Sequence, residues 1–276
     1  MTEHRTIEGR NGSIPIRIYS PSTQQGRLPG IVFIHGGGFI GGTLDVVEHP
    51  CKALAEKANA VVVSVDYRLE PEHPYPAGLH DCFDTVRWAH QHADELNMNR
   101  DQLAIAGDSA GGNLSTVCAM MDRDLGTGMI KFEALIYPTV NMGNVATDDY
   151  KWDIAQYTIN NHHDLIMAGI QGLGNMSGIL DRLYLQGRAE VANPYVSPLL
   201  ADDLSGMPET LIITAEYDFL RLECEAYARK LLRSGVNTRL IQYNGMDHAF
   251  MDKLGSYPQA EDCMSEIAQG VTRAFS

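Results

Sequence analysis

A serine set between small residues, an aspartate and a histidine that follow it in that order, and three successive glycines ahead of all of them are the parts of this 276-residue sequence best suited to chemistry. Gly107-Asp108-Ser109-Ala110-Gly111 fits the pattern G-x-S-x-G, with an apolar, strand-like run at 103–106 before it and a helical period at 110–123 after it. So sharp a strand-to-helix turn lifts the serine oxygen into a crevice, and small flanking residues let the backbone pass close to its neighbours. A serine hydroxyl is a poor nucleophile at neutral pH. It needs a base to take its proton, and that base needs an acid to fix its tautomer. Ser109 is the expected nucleophile.

Of ten histidines, only His162, His163 and His248 follow Ser109. The first two sit in a long insert, whereas His248, in Gly245-Met246-Asp247-His248-Ala249-Phe250, follows the last strand-like run and is the expected base. Asp218, in Glu216-Tyr217-Asp218-Phe219-Leu220, stands just past the run at 211–214 and reaches the same sheet edge, so it is the expected orienting acid. Asp247 is a rival, but it adjoins His248, which makes its carboxylate badly placed for that ring's orienting nitrogen; Glu216 and Glu223 are weaker rivals. His35-Gly36-Gly37-Gly38-Phe39 follows the run at 31–34. The N–H groups of Gly37 and Gly38, with that of Ala110, are expected to hold a developing oxyanion. A phosphate-binding reading of the same glycines fails, because there is neither G-x-G-x-x-G spacing nor a following Lys-Ser/Thr. His35 is expected to brace the loop. Phe39, Asp108 and Phe219, which flank these motifs, and Tyr150 and Trp152 from the insert are expected as substrate contacts.

These residues need a scaffold, and the sequence supplies a strand–helix rhythm. Nearly continuous apolar, β-branched runs at 31–34, 60–65, 103–106, 134–137, 211–214 and 239–243 read as buried parallel strands. Helical stretches at 46–57, 77–92, 110–123, 221–232 and 257–275 alternate with them, which predicts an α/β fold: a mostly parallel, doubly wound sheet with helices on both faces. An antiparallel hairpin around Asn11-Gly12 is expected ahead of it. No repeat or linker divides the chain, so a single domain over 1–276 is expected. Residues 141–194 interrupt the rhythm and are expected to form a partly helical cap over the site.

With 21 Lys+Arg against 35 Asp+Glu, the formal charge of −14 repels phosphate backbones and anionic lipid surfaces, so nucleic acid is an unexpected partner. The five cysteines are far apart and lack metal-ligand spacing, and they read as small core hydrophobes. The N-terminal stretch has no apolar signal region and no apolar run is long enough to span a membrane, so the expectation is a cytoplasmic protein with no membrane partner.

Together, H-G-G-G-F, G-D-S-A-G-G-N, Asp-Phe-Leu and D-H-A-F resemble the hormone-sensitive-lipase-like branch of the α/β hydrolases, which includes many bacterial carboxylesterases. The stretch from Asp66 to Ala77, with Tyr67-Arg68-Leu69-Glu70-Pro71-Glu72 in it, is similar to that branch's Y-R-L-A-P-E segment. The resemblance implies the α/β-hydrolase fold, the Ser109–His248–Asp218 triad, the Gly37, Gly38 and Ala110 donors, and a small-molecule ester as substrate. No metal or organic cofactor is implied, and a homodimer is compatible with it. Glu70 stands where the family usually has Ala, and Phe219 where it usually has Pro. The first strand begins within a few residues of Met1, where relatives with large acyl pockets carry a helical extension. The expectation is therefore a more open site suited to acetyl to butyryl esters. An amidase or arylformamidase would use the same residues, and a small-molecule receptor on the same fold would lack one of the triad, which this sequence retains. Charged residues through 148–164 argue against an apolar interfacial lid and hence against a true lipase.

Overall fold

A computed structural model of the protein describes residues 1–23 and 26–276. Among the described residues the sheet has eight strands: β1 (Thr2–Gly9), β2 (Gly12–Tyr19), β3 (Leu28–Ile34), β4 (Val61–Val65), β5 (Met98–Asp108), β6 (Ile130–Ile136), β7 (Glu209–Tyr217) and β8 (Thr238–Asp247). Their order is β1-β2-β4-β3-β5-β6-β7-β8. The first two strands pair antiparallel, and β2 runs antiparallel to β4. From β4 onward every neighbouring pair is parallel. The hairpin is where the sequence put it, but its turn lies one residue earlier: Gly9 pairs with Gly12, leaving Arg10 and Asn11 as the loop. Arg10 is tied there through its backbone N–H and guanidinium to Asp84 at 2.7 Å.

Among the described residues six α-helices connect or flank the strands: α1 (Glu48–Lys57), α2 (Ala77–Gln91), α3 (Ala110–Asp124), α4 (His163–Leu185), α5 (Arg221–Arg233) and α6 (Pro258–Ala274). Side chains alternate across a strand, so each buried strand feeds two cores. In β4, Val61, Val63 and Val65 belong to the core on the side of α2, α3 and α5, while Val62 belongs to the opposite core, on the side of α1 and α6. The expected strand–helix alternation thus becomes a three-layer α/β sandwich, with the parallel strands buried on both faces. All five cysteines are buried and unbridged, and each lies on a helix that covers the sheet.

Parallel strands end at one common edge, and this is what gathers Ser109 (after β5), Asp218 (after β7) and His248 (after β8). Between β6 and β7 the chain leaves the sheet for residues 141–194. The 23-residue α4 dominates this excursion, which otherwise contains short 3-10 turns.

Candidate active site

Ser109 has φ 53° and ψ −118°, a backbone conformation that side-chain-bearing residues seldom adopt. The turn is fixed from both sides: the Ser109 N–H donates to the Ile136 carbonyl at 2.8 Å, and its carbonyl accepts from Asn113 N–H at 3.1 Å. The local sequence makes this possible, because a Cβ on Gly111 would lie 2.1 Å from the Ile34 carbonyl oxygen. Only glycine lets α3 start that close to β3.

His248 follows β8 and is held by Ala249, in the left-handed region at φ 64°, and by the buried Phe250. Its Nε2 lies 3.0 Å from Ser109 Oγ, and its Nδ1 lies 2.8 Å from Asp218 Oδ2. The side chain of His248 is 21 % exposed and that of Asp218 fully enclosed. Asp218 Oδ1 also accepts the Leu220 N–H at 2.9 Å, so both carboxylate oxygens are used. Burial works against charging the imidazole, but the charge and hydrogen bond of Asp218, with smaller contributions from Asp108 and Asp252, outweigh it and hold the His248 pKa above its ordinary value. The geometry offers a hydroxyl, a base within proton-transfer reach and an acid fixing that base.

The three rival acids are engaged elsewhere or apart. Glu216 Oε2 accepts the Gly245 N–H, buried Glu223 accepts the Val140 N–H at 2.7 Å, and Asp247 lines a separate cavity. Burial raises the Glu223 pKa to about 8.

Gly37 (φ 123°) and Gly38 (φ 62°) share a cavity of ≈ 350 Å³ with Ser109 and His248. The Gly37 carbonyl accepts the N–H groups of Ile40 and Gly41, closing a tight turn. Ala110, the first residue of α3, is 1 % exposed. His35 is buried beneath this loop, stacked on Tyr67 with ring centroids 4.4 Å apart, and its Nδ1 meets the Gly36 carbonyl at 2.8 Å. Desolvation pushes its pKa down, which suits a neutral bracing ring.

Of the five side chains expected at the substrate, Asp108 lines this cavity, with Oδ1 accepting the Gly36 N–H at 2.9 Å. Phe39 instead stacks on Tyr184 at 3.9 Å, Tyr150 is buried with its hydroxyl donating to Asn144, and Trp152 Nε1 donates to the Phe219 carbonyl at 3.3 Å. Phe219 packs under α4 so closely that a Cβ on Gly174 would lie 2.7 Å from its ring. Phe39, Trp152 and Phe219 thus take part in fastening residues 141–194 to the glycine loop and to the loop after β7, while the Tyr150 bond stays within the segment. Two further residues strengthen the same attachment. The Tyr157 hydroxyl donates to the Asp218 carbonyl at 2.8 Å, and the Arg221 guanidinium lies 4.1 Å over the Tyr157 ring. The cavity walls that sequence reasoning missed are Ile40 and Val46 from the glycine loop and Leu173, Met176 and Leu180 from α4. The spacing of the α4 trio, i, i+3 and i+7, is the helical-face signal that could have found them.

A parallel sheet with a strained serine, a histidine and an aspartate in hydrogen-bonded sequence at its carboxyl edge is the arrangement of an α/β hydrolase. Residues 31–252 match the family model described as alpha/beta hydrolase fold, and the chain belongs to that family, in its hormone-sensitive-lipase-like esterase branch. It is 36 % identical over 275 residues to carboxylesterase NlhH of Mycobacterium tuberculosis, covering 99 % of this chain and 82 % of the relative. It is 35 % identical over 252 residues to an arylesterase of Saccharolobus solfataricus, covering 91 % and 77 %. Among solved structures, a hyperthermophilic esterase from Pyrobaculum calidifontis superposes with a TM-score of 0.85 at 39 % identity, over 98 % of this chain and 85 % of that one.

Proposed function

We propose that the protein hydrolyses short-chain carboxylic esters through an acyl-enzyme formed on Ser109. Its class is that of a carboxylic ester hydrolase; the mechanism, the site residues and the acyl preference are the proposal. The observation that carries it is the pair of hydrogen bonds at His248, 3.0 Å to Ser109 Oγ and 2.8 Å to Asp218. In this reading Ser109 Oγ attacks the ester carbonyl while His248 Nε2 takes its proton. The N–H groups of Gly37, Gly38 and Ala110 receive the oxyanion, and the His248 imidazolium gives its proton to the departing alcohol. Water then enters, His248 again acts as base, and the acid is released. Asp218 keeps the histidine in the needed tautomer and stabilises its charge.

Residues 141–194 act as a cap within one domain, with α4 as the wall of the acyl site. The modest cavity volume, ≈ 350 Å³, and the approach of Leu180 to Gly38 support acetyl to butyryl groups. Initial rates on p-nitrophenyl esters from two to twelve carbons, beside Ser109→Ala, test both parts. Rapid Ser109-dependent turnover of the short esters is the expected result; a profile peaking at eight carbons or more would remove the short-chain reading, and turnover surviving Ser109→Ala would remove the mechanism.

A further inference from the structure

The catalytic cavity contains a feature that ester hydrolysis itself does not call for. Asp252 lines it together with Ser109, His248 and Asp108, yet no ion pair or side-chain hydrogen bond engages the Asp252 carboxylate among the described residues. It is held in place from below: the 3-10 turn Phe250–Lys253 that carries it is anchored by Phe250, 1 % exposed, and Met251, 0 % exposed. The lining includes no lysine or arginine. Its one basic group is His248, which must be neutral to take the serine proton. In the competent enzyme the cavity therefore presents carboxyl groups and no cation. The rest of its wall, Ile40, Val46, Leu173, Met176 and Leu180, is apolar; Asp252 is exposed at its mouth, and the cation that acts most on its charge, Lys253, is its exposed neighbour outside the lining. The chain's net charge of −14 adds a field of the same sign.

We propose that Asp252 is a specificity-determining residue that favours esters whose alcohol carries a cationic, apolar-jacketed group, such as a tertiary or quaternary ammonium, over neutral isosteres and above all over anionic ones. Such a group satisfies both wall chemistries at once, its charge facing the carboxylate and its alkyl groups facing Ile40 and Val46, the lining aliphatic side chains outside α4. The alcohol is the half concerned, because Asp252 stands four residues beyond His248, the group that delivers a proton to the leaving oxygen. Asp108, 7 % exposed and already bonded to Gly36, reinforces the potential, while Asp252 supplies the reachable charge. Burial first, and then Asp252, push the Asp108 pKa up to about 7, so Asp252 is the stronger source of negative charge.

The proposal rests on the esterase reading, and a pair of isosteric substrates separates the two. Acetylcholine and 3,3-dimethylbutyl acetate differ in charge and hardly in shape, so their ratio of kcat/KM within one variant cancels any effect of the substitution on His248. At about 20 mM salt the wild-type ratio is expected to favour the cation by about five- to tenfold and to shrink in about 0.5 M salt. Asp252→Asn should bring the ratio close to one, and Asp252→Lys should invert it. A wild-type ratio at or below one, or a ratio unchanged by both substitutions, overturns the assignment while leaving the esterase reading intact. Failure of the folded wild type to hydrolyse either acetate overturns the esterase reading and this one with it.

Discussion

Two helices at the same site are built on opposite terms. In α3, which begins directly behind Ser109, twelve of 15 residues are buried; in α4, which covers the cavity, only Ile170, Tyr184 and Leu185 of 23 are. The first is locked between the sheet and α2 by small side chains and close backbone contacts. The second is pinned at points: Tyr184 stacks on Phe39, Asp181 accepts the Gly143 N–H at 2.7 Å, and Gly174 sits on Phe219. Chemistry needs reacting atoms held within a fraction of an ångström, and the buried scaffold supplies that. Selectivity tolerates a looser wall, since an aliphatic contact is worth about 0.8 kcal/mol per methylene and has little directionality. The contrast can be broken or sharpened by substitutions on either side of it.

The largest effect is expected on the α3 side. Ser109→Ala should lower kcat by about five orders of magnitude or more, with the melting temperature little changed, because alanine keeps the Cβ and the strained turn and loses only the hydroxyl. Parallel rate and thermal-melt measurements check this; an activity loss accompanied by unfolding would break the distinction between site and scaffold. Next comes Asp218→Asn, expected to cost about three to four orders of magnitude in kcat with substrate KM little changed, since it leaves the packing but destroys the tautomer control. A loss below about tenfold would point to another acid.

At the seam between the two regions stands Glu70, 2 % exposed, with neither carboxylate oxygen hydrogen-bonded within the described residues. Its backbone N–H donates to the Phe39 carbonyl, and beside it Tyr75 N–H donates to the Tyr184 carbonyl, so it lies where α4 is anchored. Burial lifts its pKa to about 8 from the ordinary 4.5. Below the ordinary value both folded and unfolded chains hold the proton, and nothing is lost. As pH rises from there to the raised value the unfolded chain ionises while the folded one resists, so stability declines across that window and then levels. Glu70→Gln should remove this decline, worth at most roughly 5 kcal/mol by its upper end, as read from denaturant unfolding at successive pH values. Parallel curves for wild type and variant would show that the carboxyl is solvated.

Activity has its own pH dependence, of opposite sign. Because Asp218 and its neighbours hold the His248 pKa above the ordinary imidazole value, kcat/KM should rise with pH, tenfold per unit below a midpoint displaced upward from 6.5. The same shift stabilises the fold at low pH and fades as pH climbs through the raised value, since the native state holds its proton longer than the unfolded chain. Asp252→Asn should move the kinetic midpoint down by a few tenths of a unit; an unmoved midpoint would place that carboxylate beyond electrostatic reach of the ring.

The same contrast explains how far the sequence could be read. Strands such as Val61–Val65 declare themselves because both faces are buried, and Ser109, Asp218 and His248 are each found just past a run of this kind. Local pattern and tertiary environment agree there. In residues 141–194 they do not: Tyr150 and Trp152 look like substrate contacts by type, yet Tyr150 is buried with its hydroxyl on Asn144 and Trp152 is bonded to the Phe219 carbonyl, while the plainer Leu173, Met176 and Leu180 face the cavity. Aromatic content reports that a segment packs, and only the helical register, which depends on where α4 starts and leans, reports on what. Asp252 was hidden for a related reason, since a single acid on a short turn has no periodicity to betray it.

The smallest expected effect is also the most discriminating test of α4 as a selective wall. Met176 is 52 % exposed and lines the cavity mouth, so removing its side chain leaves no closed void and little lost packing. Met176→Ala should therefore change the melting temperature by less than about 2 °C. It should reduce kcat/KM for butyryl relative to acetyl esters by about two- to fivefold, the equivalent of one methylene's contact or less. The acetyl rate itself should hold, because the short chain does not reach the helix. If both esters slow together, α4 acts on the catalytic geometry as well as on the substrate, and the division between a rigid reacting edge and a lightly pinned selective wall gives way to a single coupled unit.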